Sequence, residues 1–158
     1  MAGETTPTRD PIELTRHIET RYHARHREQL PELVALAAKV EQVHAGAADV
    51  PAGLSALLQR MVGALEAHMK KEELILFPAM RRGSPGLDTT IAVMRADHDD
   101  HTAGISRIRA LTGDLTLPDG ACRTWTTLYE ELTEFVADLD AHVRVENDVL
   151  FPQFESRT

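Results

Sequence analysis

Eight histidines, set against two tyrosines and one tryptophan, are the unusual feature of this 158-residue sequence. Two of them open His-x-x-x-Glu segments, His68 to Glu72 and His142 to Glu146. Four more form pairs three residues apart, His23/His26 and His98/His101. A His and a Glu at i and i+4 share one helix face, with Cβ atoms roughly 6 Å apart. Imidazole and carboxylate together suit iron or manganese. The single cysteine, Cys122, excludes an internal disulfide and any Cys-ligated zinc or iron–sulfur site within one chain. Four imidazoles and two carboxylates exceed the needs of one metal with an open position. They suit two metals bridged by Glu72 and Glu146, with histidines as terminal ligands. Two ions ~3.5–4 Å apart can jointly bind and reduce a small molecule. Spacing alone leaves open which member of each His pair ligates and which braces it or lines the entrance.

These residues need helices to carry them, and the sequence supplies four. Asp10 can cap a first helix, with Pro11 in its first turn and Glu13 three after the cap; it runs to about residue 45, where Gly46 can end it. Pro31 is expected to kink it. After a loop at 46–53, a second helix runs from about 51 to 77 and stops at Pro78. A turn at 81–87 leads to a third helix, capped by Asp88 and running to about 112. Beyond a loop at 113–120, the fourth helix runs from about 121 to 151, with Pro152 at its end. Residues 1–9 read as a disordered tail and 10–155 as one domain. No segment alternates with the period of a strand. Four helices with short loops predict an all-α, antiparallel up-down-up-down four-helix bundle.

The apolar stripes of these helices pass through the chemistry-bearing residues. Helix two reads Leu58, Met61, Leu65, His68, Glu72, Ile75, and helix four reads Leu132, Phe135, Leu139, His142, Glu146, Val149. Ala67-His68 to Phe77-Pro78 is echoed by Ala141-His142 to Phe151-Pro152, so these two helices should run the same way. At ~1.5 Å per residue, the four polar sets of an antiparallel bundle fall at a similar depth below one end and can converge. A buried, ionised Glu without a partner costs several kcal/mol, and no Lys or Arg lies on the stripes to offset it. Four unrelated core histidines would not share one level. His44 fails the same test, lying on the order of 30 Å further along helix one. It is expected to meet the last carbonyls of that helix or to pack there. Asp138, one turn before His142, reads as a solvated surface residue, or else as a group that orients that imidazole. Tyr22 reads as packing and Cys122 as a small core or surface residue far from the metal level.

Composition narrows the function. A net charge of −8 disfavours a nucleic-acid partner. The apolar runs are far short of a membrane span, and no signal segment opens the sequence, so a cytoplasmic location is expected. No Ser/His/Asp constellation supports hydrolysis.

Several stretches carry a resemblance: Tyr22-His23-Ala24-Arg25-His26 through Leu33, Lys39 to His44, His68-Met69-Lys70-Lys71-Glu72-Glu73, Ala121 to Trp125, and Glu146-Asn147-Asp148-Val149-Leu150-Phe151-Pro152. Over about residues 17–155 the sequence resembles the hemerythrin-like domains. More closely, it resembles the repair-of-iron-centres proteins, di-iron proteins that restore damaged iron–sulfur clusters. The resemblance implies two iron ions, with His23, His68, His98 and His142 as terminal ligands and Glu72 and Glu146 bridging. The family position matching His44 is also a histidine. Family members often carry an N-terminal domain with adjacent cysteines, and the expectation is that this chain lacks it. His101 stands where the pattern has a non-ligand; oxygen-binding hemerythrins use His-x-x-x-His on the third helix, where this chain has Thr102.

The expected function is repair of iron–sulfur clusters damaged by nitric oxide or oxidants, through iron release to an apo-cluster, nitric oxide reduction, or both. The expected partners are nitric oxide, dioxygen and damaged iron–sulfur proteins, with the chain a monomer or dimer. The alternative is an oxygen or nitric oxide carrier or sensor without repair activity, favoured by His101. Simple iron buffering is a third reading.

Overall fold

The described part of the computed structural model is residues 9–156. Of the expected tail, only Arg9 falls within it, its carbonyl accepting from Gln153 Nε2 at 2.9 Å. Every regular element among the described residues is helical, and they join into four rods. Pro11–His17, Ile18–His23 and Ala24–Val43 make α1 (11–43). Leu54–Lys71, Glu72–Leu76 and Phe77–Arg81 make α2 (54–81). Asp88–Leu111 is α3. Arg123–Val145, Glu146–Leu150 and Phe151–Gln153 make α4 (123–153).

α1 starts as its sequence dictates. Asp10 Oδ2 accepts the Glu13 N–H at 3.2 Å, and Pro11 occupies the first turn, where its missing N–H costs nothing. Pro31 lies inside Ala24–Val43, and the helix runs through it. The start of α3 departs from expectation. Asp88 is its first residue and makes no cap; its carboxylate instead accepts the Ser156 N–H and Oγ–H, each at 2.8 Å.

Three segments are wide π-helical turns, in which N–H groups reach five residues back rather than four: Ile18–His23, Glu72–Leu76 and Glu146–Leu150. The last two are structural copies of the repeat seen in the sequence, and each opens on its glutamate. They correct two expectations. The wide turn moves the buried stripe one residue on, so Leu76 and Leu150 are fully buried while Ile75 is 62% exposed and Val149 is only half-buried. Nor does helix two stop at Pro78. The wide turn already disturbs the ladder just before it, so the donor-less Pro78 is accommodated and α2 continues to Arg81. α4 likewise carries Pro152 within a final tight turn to Gln153.

The core is two apolar clusters with a polar layer between them. The larger holds residues such as Leu33, Leu58, Leu65, Leu132 and Phe135. The smaller, toward the start of α1, holds Leu14, Ile18, Phe77, Met80, Ile91 and Phe151. Each fully buried Leu or Phe contributes ~1.5–3 kcal/mol, so the clusters hold the rods firmly on both sides of the layer. Polar ties lock the ends. Arg81 donates to Thr15 Oγ1 and Glu19, each at 2.9 Å. The Glu41 carboxylate accepts the Gly53 and Ser55 N–H groups at 2.8 Å. Arg95 grips Glu155 at 2.7 and 2.8 Å. Among the described residues, no helix is long and apolar enough to cross a membrane.

Candidate metal centre

The polar layer between the clusters is built by all four rods. α1 supplies His23, α2 His68 and Glu72, α3 His98, and α4 His142 and Glu146; none is more than 1% exposed. Their ligand atoms gather in two groups of four, each within 4.8 Å: His23, Glu72, His142 and Glu146 on one side, His68, Glu72, His98 and Glu146 on the other. Both glutamates belong to both groups.

The inner faces of the rings are turned inward through Nε2. His23 Nε2 lies 3.0 Å from Glu72 Oε1, and His142 Nε2 2.9 Å from Glu146 Oε2. His98 Nε2 stands 2.7 Å from Glu146 Oε1, and His68 Nε2 3.4 Å from Glu72 Oε2. These last four atoms are buried without an aligned hydrogen bond. Buried polar atoms are normally satisfied, so donors that converge without bonding one another fit a shared cation better than a hydrogen-bond network. The donor set fits a metal: four imidazoles, two carboxylates, and no Lys or Arg paired with either glutamate among the described residues.

The electrostatics fit as well. Burial pushes His68 down, but Glu146 and Glu72 outweigh it and raise its pKa to about 11. Burial likewise opposes His142, which the same carboxylates raise to about 9. Burial raises Glu146, yet His142, His68 and His98 hold it well below the usual carboxylate range. The paired glutamates are thus an anionic nucleus that attracts positive charge, whether protons or a metal.

Each inner imidazole is braced from outside through Nδ1. His23 meets Glu73 Oε2 at 2.7 Å, His68 meets Asp97 Oδ2 at 3.0 Å, and His98 meets Asn147 Oδ1 at 2.8 Å. His142 Nδ1 meets His26 Nε2 at 3.1 Å. Glu73 is itself gripped by both Arg27 terminal nitrogens, at 2.8 and 2.9 Å. Such partners fix ring orientation and tautomer and raise ligand basicity. Glu73, Asp97 and Asn147 were not singled out from the sequence. A usable signal was there: each is the chain neighbour of an inner donor. A residue next to an inward one is rotated ~100° around the helix and points across to the adjacent rod.

The remaining sequence candidates lie outside both groups. His26 braces His142. Burial, followed by the neighbouring His142 and His23, lowers its pKa to about 2, so it is neutral at pH 7. His101 is buried beside His68, ring centroids 4.9 Å apart. Burial, then His68 and His98, lowers it to about 3. His44 sits at the other end of α1, where Nε2 meets Cys122 Sγ at 3.2 Å and the ring packs 4.8 Å from that of Trp125. Tyr22 packs, its ring stacked on His142 at 5.5 Å. Asp138 is the correction. It is only 7% exposed and touches no inner imidazole, since Arg21 and Gln29 take its two oxygens at 3.0 and 2.9 Å. The rods pack side by side, so a residue one turn before His142 faces α1 rather than solvent.

Known proteins are similar to this chain in sequence. The Hemerythrin HHE cation binding domain matches residues 15–154. The chain is 47% identical over 142 residues to the iron-sulfur cluster repair protein YtfE of Edwardsiella ictaluri, covering 89% of this chain and 64% of that protein. It is 43% identical, at the same coverage, to a probable iron-sulfur cluster repair protein of Haemophilus influenzae. Against YtfE of Pectobacterium atrosepticum the identity is 43% over 159 residues, covering 97% of this chain and 72% of that one. The chain therefore spans about two thirds of the length of these relatives. The chain belongs to the hemerythrin HHE cation binding domain family and, within it, groups with the iron–sulfur cluster repair proteins.

Proposed function

We propose that residues 10–155 form one hemerythrin-like domain that holds two iron ions and serves in the repair of iron–sulfur clusters damaged by nitric oxide or oxidants. The observation that carries this reading is the sharing of Glu72 and Glu146 between two otherwise separate four-donor groups. In it, Glu72 and Glu146 bridge, His23 and His142 complete one site, and His68 and His98 complete the other. The rods are read as an up-down-up-down antiparallel bundle. Support comes from Arg81, at the end of α2, meeting Thr15 at the start of α1, and from Glu41, at the end of α1, capping the start of α2. The iron–sulfur cluster repair relatives support damaged iron–sulfur proteins as partners. We place the activity in the cytoplasm, with nitric oxide and dioxygen as the small ligands.

Bound iron supplies exchangeable coordination positions and one-electron chemistry. The chain's own residues orient the imidazoles through Glu73, Asp97, Asn147 and His26, and the two apolar clusters keep bulk water from the layer. Repair then proceeds by release of iron to an acceptor, by nitric oxide reduction, or by both. The test is reactivation. Protein loaded anaerobically with ferrous iron is added to an extract whose aconitase has been inactivated by nitric oxide, with Glu72→Leu/Glu146→Leu as control. Recovery with the intact protein alone is expected. No recovery from a fully loaded protein would move the function to gas binding without repair.

A further inference from the structure

His26 and His101 hold matching places in the sequence, each three residues after an inner imidazole on its own rod, and both are buried. Their surroundings differ. His26 is committed: Nε2 meets His142 Nδ1 at 3.1 Å, and its ring packs edge-on to Phe135 at 5.7 Å. His101 Nε2 is buried without a hydrogen-bond partner. It has no imidazole left to brace, because Nδ1 of His68 is taken by Asp97 and Nδ1 of His98 by Asn147. A buried ring nitrogen left unpaired is costly, and such groups commonly mark a place where a ligand or water completes the bonding.

The side chain that carries this nitrogen also borders open space. His101 lines a cleft of about 230 Å³ between α2 and α3, together with Met61, Ala64 and Gly104, with Arg60 and Arg107 on its rim. Gly104 keeps the cleft deep, since a Cβ there would sit 3.0 Å from Met61 Cε. On the opposite side His26 lines a cleft of about 240 Å³ with Leu30, Val62 and Met69, and aromatic rings cover the imidazoles behind it. Tyr22 stacks on His142 at 5.5 Å and Phe77 on His23 at 5.8 Å. Phe151 stacks on His98 likewise, at 5.6 Å, so what distinguishes the His101 side is a cleft-lining histidine that braces no inner imidazole.

We propose that this cleft admits a small exogenous ligand bearing an acceptor atom, a diatomic gas or an azide-sized anion, and that His101 Nε2 donates a hydrogen bond to it beside His68 and His98. The assignment rests on the metal reading above. His101 thereby acts as a selectivity residue for what the centre binds, distinct from the ligand set.

The test uses azide as probe. Wild type, His101→Leu and His101→Gln are loaded with iron, their metal content is measured, and the oxidised proteins are titrated with azide by visible absorption. All three should hold the same metal, with azide bound about 10-fold or more weakly by His101→Leu, through faster release, and partly restored in His101→Gln. Ala64 is exposed, so Ala64→Phe narrows the mouth without crowding the core; it should slow azide entry and leave the saturated spectrum unchanged. Equal azide affinity in His101→Leu would overturn the hydrogen bond. Loss of metal in that variant would make His101 a ligand and overturn it too. An unchanged entry rate in Ala64→Phe would overturn the route. Wild type that takes up no metal would instead sink the metal reading beneath the proposal.

Discussion

Glu72 and Glu146 each belong to both four-donor groups, whereas no imidazole belongs to more than one. The two carboxylates open twin wide turns on α2 and α4, which place them at one level between the apolar clusters. An asymmetry of consequence follows. Removing a glutamate takes a donor from both groups, and removing a histidine takes a donor from one. Glu146→Gln should therefore lose most of the bound metal, and His23→Ala should retain a substantial part. Metal content after gel filtration of the loaded proteins distinguishes the two patterns; equal losses would contradict the shared-carboxylate arrangement.

The outer braces make a second prediction. Asp97 accepts from His68 Nδ1 and lies 3.5 Å from Lys71 Nζ. Asp97→Asn weakens that acceptor, and metal affinity should fall by about 10–100-fold with the fold intact. Asp138→Asn is the matched control. It loosens the Arg21 and Gln29 contacts and should lower stability with little change in affinity. Competition with a chromogenic chelator measures both.

The wide turns predict an unusual stability pattern. Leu76 is fully buried and Ile75 is 62% exposed, although a regular helical reading of the sequence puts Ile75 on the core stripe. Leu76→Ala should cost ~2–5 kcal/mol, and Ile75→Ser should stay within about 0.5 kcal/mol. Urea unfolding of the two variants decides it, and a reversed order would contradict the π-helical register.

Much of this centre was legible from spacing, because helical periodicity fixes which residues share a face and the rise per residue fixes their level. That reasoning brought His68, Glu72, His142, Glu146 and the two pairs His23/His26 and His98/His101 to one level and set His44 apart; the resemblance implied His23 and His98, and the structure gathers these two with the other four and leaves His44 beside Cys122. The wide turns were not legible. Two of them open on glutamates whose carboxylates meet imidazoles of other rods, contacts that a single-helix reading does not register. The wide turn at Glu72–Leu76 is why the stripe shifted from Ile75 to Leu76 and why helix two ran past Pro78. The braces Glu73, Asp97 and Asn147 were missed for a related reason: each acts on a histidine of a different rod, and a single-helix stripe does not register it. Asp138 failed similarly, since a polar residue off the stripe reads as solvated until α1 is packed against it.

A pH effect is expected at the far end of the bundle. Burial raises Glu41 somewhat, but the backbone N–H groups of Gly53 and Ser55 outweigh it, and its pKa is lowered. A carboxylate depressed in the folded state adds stability above its unfolded pKa and loses it as pH falls through the folded value. Glu41 is partly exposed, so solvent screening limits the effect to under ~1 kcal/mol. Glu41→Gln should be less stable than wild type at pH 7, with the gap narrowing only as pH drops below about 5 and on through the lowered pKa of Glu41. A gap that widens on acidification would contradict the capping role. Thermal unfolding across that range reads it out.

In the arrangement proposed, Glu72 and Glu146 hold two irons as one unit. Mössbauer spectroscopy of protein loaded with iron-57, with metal counted on the same sample, tests it most directly. Two irons per chain forming one magnetically coupled pair are expected, with the coupling abolished in Glu146→Gln. A single iron per chain, or two magnetically isolated irons, would contradict it.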